Sequence, residues 1–357
     1  MRFGVNERRE VNESARTLGG ASLPNNGLLG YFCATTMDVF FSWRKTRPSD
    51  LAQCLALHPA KNGAETVGHA RALDGWRHLL EMAHATRSAV VEMRAKGHVE
   101  IVGFGFASFV KQSFIEDEIR KPRPGLNSRI VESAVNGNPV VATYAEVRDA
   151  NTRGHLQQVI LDTSWKNGPL TSAQVDEVRV VLGRAYQELF IGYRFSRILV
   201  ELVDELDSWH IRGLKVFRTI DEFDDFYRAN PETKWNRDRR LIEVSLDSIR
   251  ADPHSVAAGL FQHHVQPHFA FTRGEQELLE LALEGVEDAA AAESLFVSLP
   301  AVKRRWASIF ERVGAIRPDL CPMDGEGTRG TQKRQRILTY VRSHPEELRP
   351  FNSAMSR

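Results

Sequence analysis

The order of apolar and polar positions divides the chain into two stretches of different character. Between Val39 and about residue 245, short apolar runs with strand-like alternation recur between amphipathic segments. Val39–Arg44, Ser88–Met93, Val99–Phe109, His155–Asp162, Arg197–Val203, Leu214–Arg218 and Arg240–Val244 read as strands. Ala95-Lys96-Gly97-His98 is a hairpin-length connection between the second and third. Helical spacing appears in Leu51, Cys54, Leu55 and Leu57 after a Ser49–Asp50 cap, and in Leu73, Trp76, Leu79 and Leu80. Residues 126–136 are a further helix, Pro139–Tyr144 a short strand, and 204–211 a short helix. After Thr171 and Ser172, the stripe Val175, Val178, Val181, Leu182, Ala185 and Leu189 marks a long amphipathic helix to about Ile191.

From Ser255 onward the strand-like runs stop and only helical patterns remain. The predicted organisation is a mobile extension over 1–36, an α+β domain over 37–250 with a mixed central sheet flanked by helices, a linker over 251–269, and an all-α domain over 270–357. A chain of 357 residues is long enough for such a division.

The helical part carries the most specific pattern. Thr272 followed by Glu275 is a capping box, Leu278, Leu279, Leu281 and Ala282 form an apolar face, and Gly285 is placed to end the helix. A second helix runs from Asp288 to Leu295 with four consecutive alanines. After a turn at Phe296-Val297, Ser298 caps a third helix with Pro300 in its first turn, where a missing N–H costs nothing. Val302, Trp306, Ile309, Phe310 and Val313 face inward; Lys303, Arg304, Arg305, Ser308 and Arg312 face outward. Helix, turn and cationic helix is the arrangement that reads a DNA major groove.

Charge changes the picture only locally. The whole chain is nearly balanced, with 47 Lys+Arg against 46 Asp+Glu, which excludes nucleic-acid binding through overall charge. Between Ser298 and Arg342, however, ten Lys/Arg stand against four acids, whereas Phe271–Val297 holds one Arg against seven acids. The basic groups Arg329, Lys333, Arg334 and Arg336 open a later helix, where cations oppose the dipole unless they meet phosphate. The candidate DNA-binding set is therefore Ser298, Lys303, Arg304, Arg305, Ser308, Arg312, Arg329, Lys333, Arg334 and Arg336.

The stretch Phe271–Ala315 resembles the LuxR-type helix-turn-helix of bacterial transcription regulators. It aligns without gaps through Thr272, Glu275, Glu277, Leu279, Gly285, Ala292, Leu295, Val297, Ser298, Val302, Lys303, Ile309 and Gly314. The resemblance implies that Lys303 and its neighbours face the major groove. It departs at the start of the second helix, Glu287-Asp288-Ala289, and at Trp306, which stands where the family has a polar residue.

The element order over about 38–245 resembles the GNAT acetyltransferase fold. Arg44–Leu51 looks like its first strand and helix, and Glu100–Gly105 like its third strand. The strand from Leu156 and the helix from Ala173 sit where that family holds acetyl-CoA. The family's pyrophosphate turn, Gln/Arg-x-x-Gly-x-Gly/Ala, has no counterpart in Thr163–Leu170, where Pro169 lacks a donor. No cofactor and no catalytic residue is therefore assigned, and the domain is read as one that senses a ligand or dimerises. Gly103-Phe104-Gly105 within a strand reads as close packing.

Three scattered cysteines, Cys33, Cys54 and Cys321, form neither a disulfide framework nor a zinc motif. His254, His263, His264 and His268 read as linker histidines rather than metal ligands, and the acidic runs 116–118 and 221–225 as solvated faces. No apolar run reaches membrane-spanning length. The expected protein is a cytoplasmic, homodimeric transcription regulator whose partners are double-stranded DNA and an unknown small-molecule or acyl-CoA-like ligand, with no membrane. The alternative is an acyl-CoA-dependent N-acetyltransferase with an appended helical domain that binds DNA or protein.

Overall fold

The computed structural model describes residues 39–57, 68–166, 168–202, 218–233, 239–254, 257–261, 265–321 and 330–355. The strands are β1 (Phe40–Lys45), β2 (Thr86–Ala95), β3 (His98–Phe109), β4 (Leu156–Trp165), β5 (Phe195–Leu202), β6 (Arg218–Asp221) and β7 (Arg240–Ser245). The helices of the α/β part are α1 (Leu51–Ala56), α2 (His69–Glu81), α3 (Gln112–Arg120), α4 (Leu126–Val135), α5 (Tyr144–Arg153), α6 (Ser172–Phe190), α7 (Asp224–Ala229), α8 (Leu246–Ala251) and α9 (Ala258–Phe261). Those that follow are α10 (Arg273–Leu283), α11 (Asp288–Ser294), α12 (Leu299–Ile316) and α13 (Gly330–Ser343).

The seven strands form one mixed sheet in the order β1-β2-β3-β4-β5-β7-β6. All neighbours are antiparallel except β4 and β5. The β2–β3 hairpin closes on Lys96-Gly97, both with positive φ, a turn whose twist matches that of the strands. On β3, Phe104 and Phe106 point to one face, where Trp76 packs edge-on against Phe106 at 4.8 Å between ring centroids. Gly103 and Gly105 point to the other face, under α6. A Cβ on Gly103 would lie 2.8 Å from a Val178 methyl, so the glycine is there because the helix lies close. That face buries Phe41, Val91, Val102, Trp165, Val178, Val181 and Leu182.

Two elements depart from the sequence reading. Pro139–Tyr144 is not a strand: Val141 makes only an isolated bridge to Val110. Thr143 instead caps α5 through a reciprocal capping box with Glu146, a Thr-x-x-Glu signal that outweighs the two β-branched valines. Gln112–Arg120, a stretch without sustained periodicity in the sequence, is helical. The expected helix at 204–211, and all but the last residue of the expected strand at 214–218, lie outside the described residues. At the start of α4, the buried carboxylate of Glu201 accepts from the backbone N–H groups of Gly125 and Leu126 and from Arg239 Nη1 at 2.8 Å. An anion thus sits on the positive end of that helix dipole, with a cation behind it.

The residues between α8 and α10 are divided between cores. Leu260 and Phe261 of α9 join the core of the α/β part, with Phe261 6.0 Å from Phe195. Phe269 and Phe271 belong to a separate helical core with Leu278, Leu279, Val302, Trp306, Ile309, Val313, Ile337 and Val341. Residues after α13 run back onto the α/β part. Asn151 Nδ2 donates to Pro350 O at 2.9 Å, Asn352 N to Thr152 Oγ1 at 2.8 Å, and Arg349 Nε to Ile191 O at 2.9 Å. Gly192, at φ +87°, lets this strap pass: a Cβ there would sit 2.7 Å from Glu346 N.

Candidate nucleic-acid interface

Three helices, α10, α11 and α12, build the site. Thr272 Oγ1 accepts from Glu275 N, and Glu275 Oε2 accepts from Thr272 N at 2.7 Å. Gly285, at φ +82°, takes the left-handed position after α10. Ala291 and Ala292 are buried on α11, where small side chains let α10 and α12 approach. Ser298 accepts from Ala301 N and caps α12, with Pro300 in the first turn. Val302, Trp306, Ile309 and Val313 are buried, so the 3.6-residue period orients the opposite face to solvent.

The ten candidate residues fall into distinct environments. Lys303 and Arg304 are exposed and make no hydrogen bond or ion pair among the described residues. Ser298 is exposed and spent on its cap. Arg305, Ser308 and Arg312 converge on the start of α10. Arg305 Nη1 donates to Gly274 O at 3.3 Å, Ser308 Oγ to Glu275 Oε1 at 2.7 Å, and Arg312 Nε lies 3.5 Å from Glu275 Oε2. Glu275, 3% exposed, thus ties α12 to α10 as well as completing the cap. Arg334 Nη1 pairs with Asp288 at 2.8 Å and its guanidinium lies 4.4 Å above the Trp306 ring. Trp306 Nε1 donates to the same carboxylate at 3.2 Å. Trp306 therefore packs, and Asp288 at the start of α11 fixes it. Arg336 is exposed, donating to Asp319 O at 3.3 Å, and Lys333 is half-buried. Arg329 lies outside the described residues.

Besides Leu299 at its start, Ser308, and Ala315 and Ile316 at its end, the exposed positions of α12 are Pro300, Lys303, Arg304, Ala307 and Glu311. Ala307 is not among the ten candidates. Its signal was available, since it lies one helical turn beyond Lys303 and Arg304, and a methyl there permits close approach and apolar contact. Phe296, in the turn before α12, is 96% exposed at φ +52°.

At the other place where sequence suggested a ligand, β4 pairs with β5 only over Leu156–Ile160. Beyond Ile160, Leu161–Trp165 has no partner strand on that side among the described residues, while Trp165–Asp162 continues to pair with Gly103–Phe106 of β3. The two parallel strands part there. Asn127 Nδ2 of α4 donates to the freed Leu161 carbonyl. Trp165 at the end of β4 lies under the Arg179 guanidinium at 4.5 Å. Among the described residues there is no group of His, Cys, Asp and Glu able to hold a metal ion. Cys54 and Cys321 are buried free thiols, and burial pushes the Cys54 thiol far above its ordinary value; Cys33, His263 and His264 lie outside the described residues. No described helix is long and apolar enough to cross a membrane.

No family model matches the chain, and no curated protein matches it. Among solved structures, the C-terminal condensation domain of Ebony in complex with beta-alanyl-dopamine aligns at 11% identity and a TM-score of 0.34, covering 58% of this chain and 100% of that one.

Proposed function

We propose that the chain is a sequence-specific DNA-binding transcription regulator. Its helices α10–α12 are the LuxR-type reader, and its GNAT-like α/β part senses a ligand or dimerises. The observation that carries this reading is the α11–turn–α12 unit, whose capped second helix offers unpaired Lys303 and Arg304 beside Ala307 on one solvent face. Arginine and lysine donate to guanine edges, and a methyl suits the thymine methyl. The protein works in the cytoplasm as a homodimer, since two half-sites multiply affinity and demand a two-fold operator.

The test is selection from a random double-stranded DNA pool with the full chain. An enriched motif is expected, with loss of about 1–3 kcal/mol in Lys303→Ala or Arg304→Ala if each reads a base. A phosphate contact instead lowers the salt slope by about one. No enrichment, or an unchanged preference together with an unchanged salt slope in both variants, refutes the reading.

One observation favours the alternative, an acyl-CoA-dependent N-acetyltransferase: β4 and β5 part beyond Ile160 and Val200. That opening adjoins the strand from Leu156, which with the helix from Ala173 is where the GNAT resemblance sets acetyl-CoA. Calorimetry with acetyl-CoA discriminates, because micromolar binding supports the enzyme and silence supports the sensor.

A further inference from the structure

A cavity of about 350 Å³ lies between the α/β part and α10, at the end of the sheet away from Trp165. Its size is that of a small-molecule site. The apolar wall is Leu80, Leu189, Leu348 and the ring of Tyr144, over which the Arg273 guanidinium lies at 4.9 Å. The phenol hydroxyl of Tyr144 has no hydrogen-bond partner among the described residues.

The charges sort by depth. At the rim, Lys45 pairs with Glu284 at 2.5 Å and Arg273 with Glu277 at 2.8 Å, and Glu81 is exposed. Water screens these groups. Below them Arg87 lines the cavity, and Arg349 lies behind its wall; with side chains 15% and 7% exposed, the two share one carboxylate, Glu280, at 4.0 and 3.4 Å. The other partners of these guanidiniums are neutral: Tyr193 Oη at 3.0 Å and the Ala83 and Thr86 carbonyls for Arg87, and the Ile191 carbonyl for Arg349. His84 adds no charge, because burial holds its imidazole below the ordinary value. Two buried cations around one anion leave an excess positive charge beside an apolar wall, and such a charge is costly unless it is paired.

We propose that this cavity binds a small organic carboxylate, its anionic end on Arg87 and its apolar end against Leu80, Leu189 and Tyr144. The site is independent of the DNA reading. Because its walls come from both the α/β part and α10, occupancy changes the free energy of holding the two together.

The test is ligand-observed NMR titration of the full chain with hexanoate and benzoate, each beside its neutral amide. The carboxylates are expected to bind at least about tenfold more tightly than the amides. Ala83→Trp, an exposed rim substitution that blocks the mouth without touching the core, abolishes that binding. Glu280→Gln, which removes the competing anion, strengthens it, and Arg87→Gln weakens it. Equal binding of acids and amides, binding unchanged in Ala83→Trp, or no binding of either carboxylate overturns the proposal.

Discussion

Replacing Glu275 with alanine tests whether α10 and α12 are held by one buried carboxylate. Three contacts go at once: the reciprocal cap to Thr272 N, the Ser308 hydrogen bond and the Arg312 pair. Loss of a cap costs about 1 kcal/mol, and a net hydrogen bond is worth about the same. The partly exposed Arg312 pair adds less than about 1 kcal/mol. Thr272 and Ser308 are exposed, so water can satisfy their freed groups, whereas Arg312 Nε is buried and its loss of a partner sets the upper end of the range. The sum is about 2–3 kcal/mol, confined to the helical core. Global unfolding does not say in which of two separate cores a loss falls, so amide hydrogen exchange is the assay. Protection of α10 and α12 should fall about 30- to 150-fold, while β2 and β3 stay unchanged. Protection within about twofold of wild type, or an equal fall in β2 and β3, would refute the idea that Glu275 is the tie.

Other substitutions probe the strap and α12. Burial pushes the Glu347 carboxyl up to about 7, a rise opposed by the Phe269 and His268 N–H donors and reinforced by the neighbouring Glu346 charge. A carboxyl raised in the folded state adds stability below its unfolded value near 4.5, and that stability is lost as pH rises through about 7. Melting temperature should therefore fall between pH 5 and pH 8, and Glu347→Gln should remove most of that fall; an unchanged slope would refute it. Gly192→Ala forces a side chain into the left-handed region and onto the Glu346 backbone, costing at least about 1–2 kcal/mol, seen as a lower melting temperature. Trp306→Phe loses the indole donor to Asp288 and should destabilise the helical core by about 1 kcal/mol while leaving DNA preference intact. A changed operator motif in that variant would instead make Trp306 a reader.

Much of the secondary structure was legible because its causes are local. The capping box Thr272–Glu275, the Gly285 stop, the Ser298 cap and the stripe of α6 each act within one or two turns, and each stands where the spacing put it. The Thr143–Glu146 box is equally local, but the β-branched pair Val140-Val141 beside it carries a competing strand signal. The outward face of α12 was legible as a face, since burial of Val302, Trp306, Ile309 and Val313 follows from period alone.

What each outward side chain meets is not a property of period. Lys303 and Arg304 stand free while Arg305, Ser308 and Arg312, on the same helix, close on Gly274 and Glu275, because α10 crosses only the flank that carries them. Arg334, chosen for its charge, is stacked on Trp306 by Asp288, 46 residues away in sequence. The parting of β4 from β5 and the Arg87–Glu280–Arg349 cluster likewise join segments far apart in the chain. By itself the sequence determined which residues form helices, where those helices start and stop, and which face is apolar, because propensity, capping and periodicity act over a few residues. Only the tertiary structure decided which cations are neutralised and which remain available, because that depends on distances of a few ångströms between elements that the chain order does not place together.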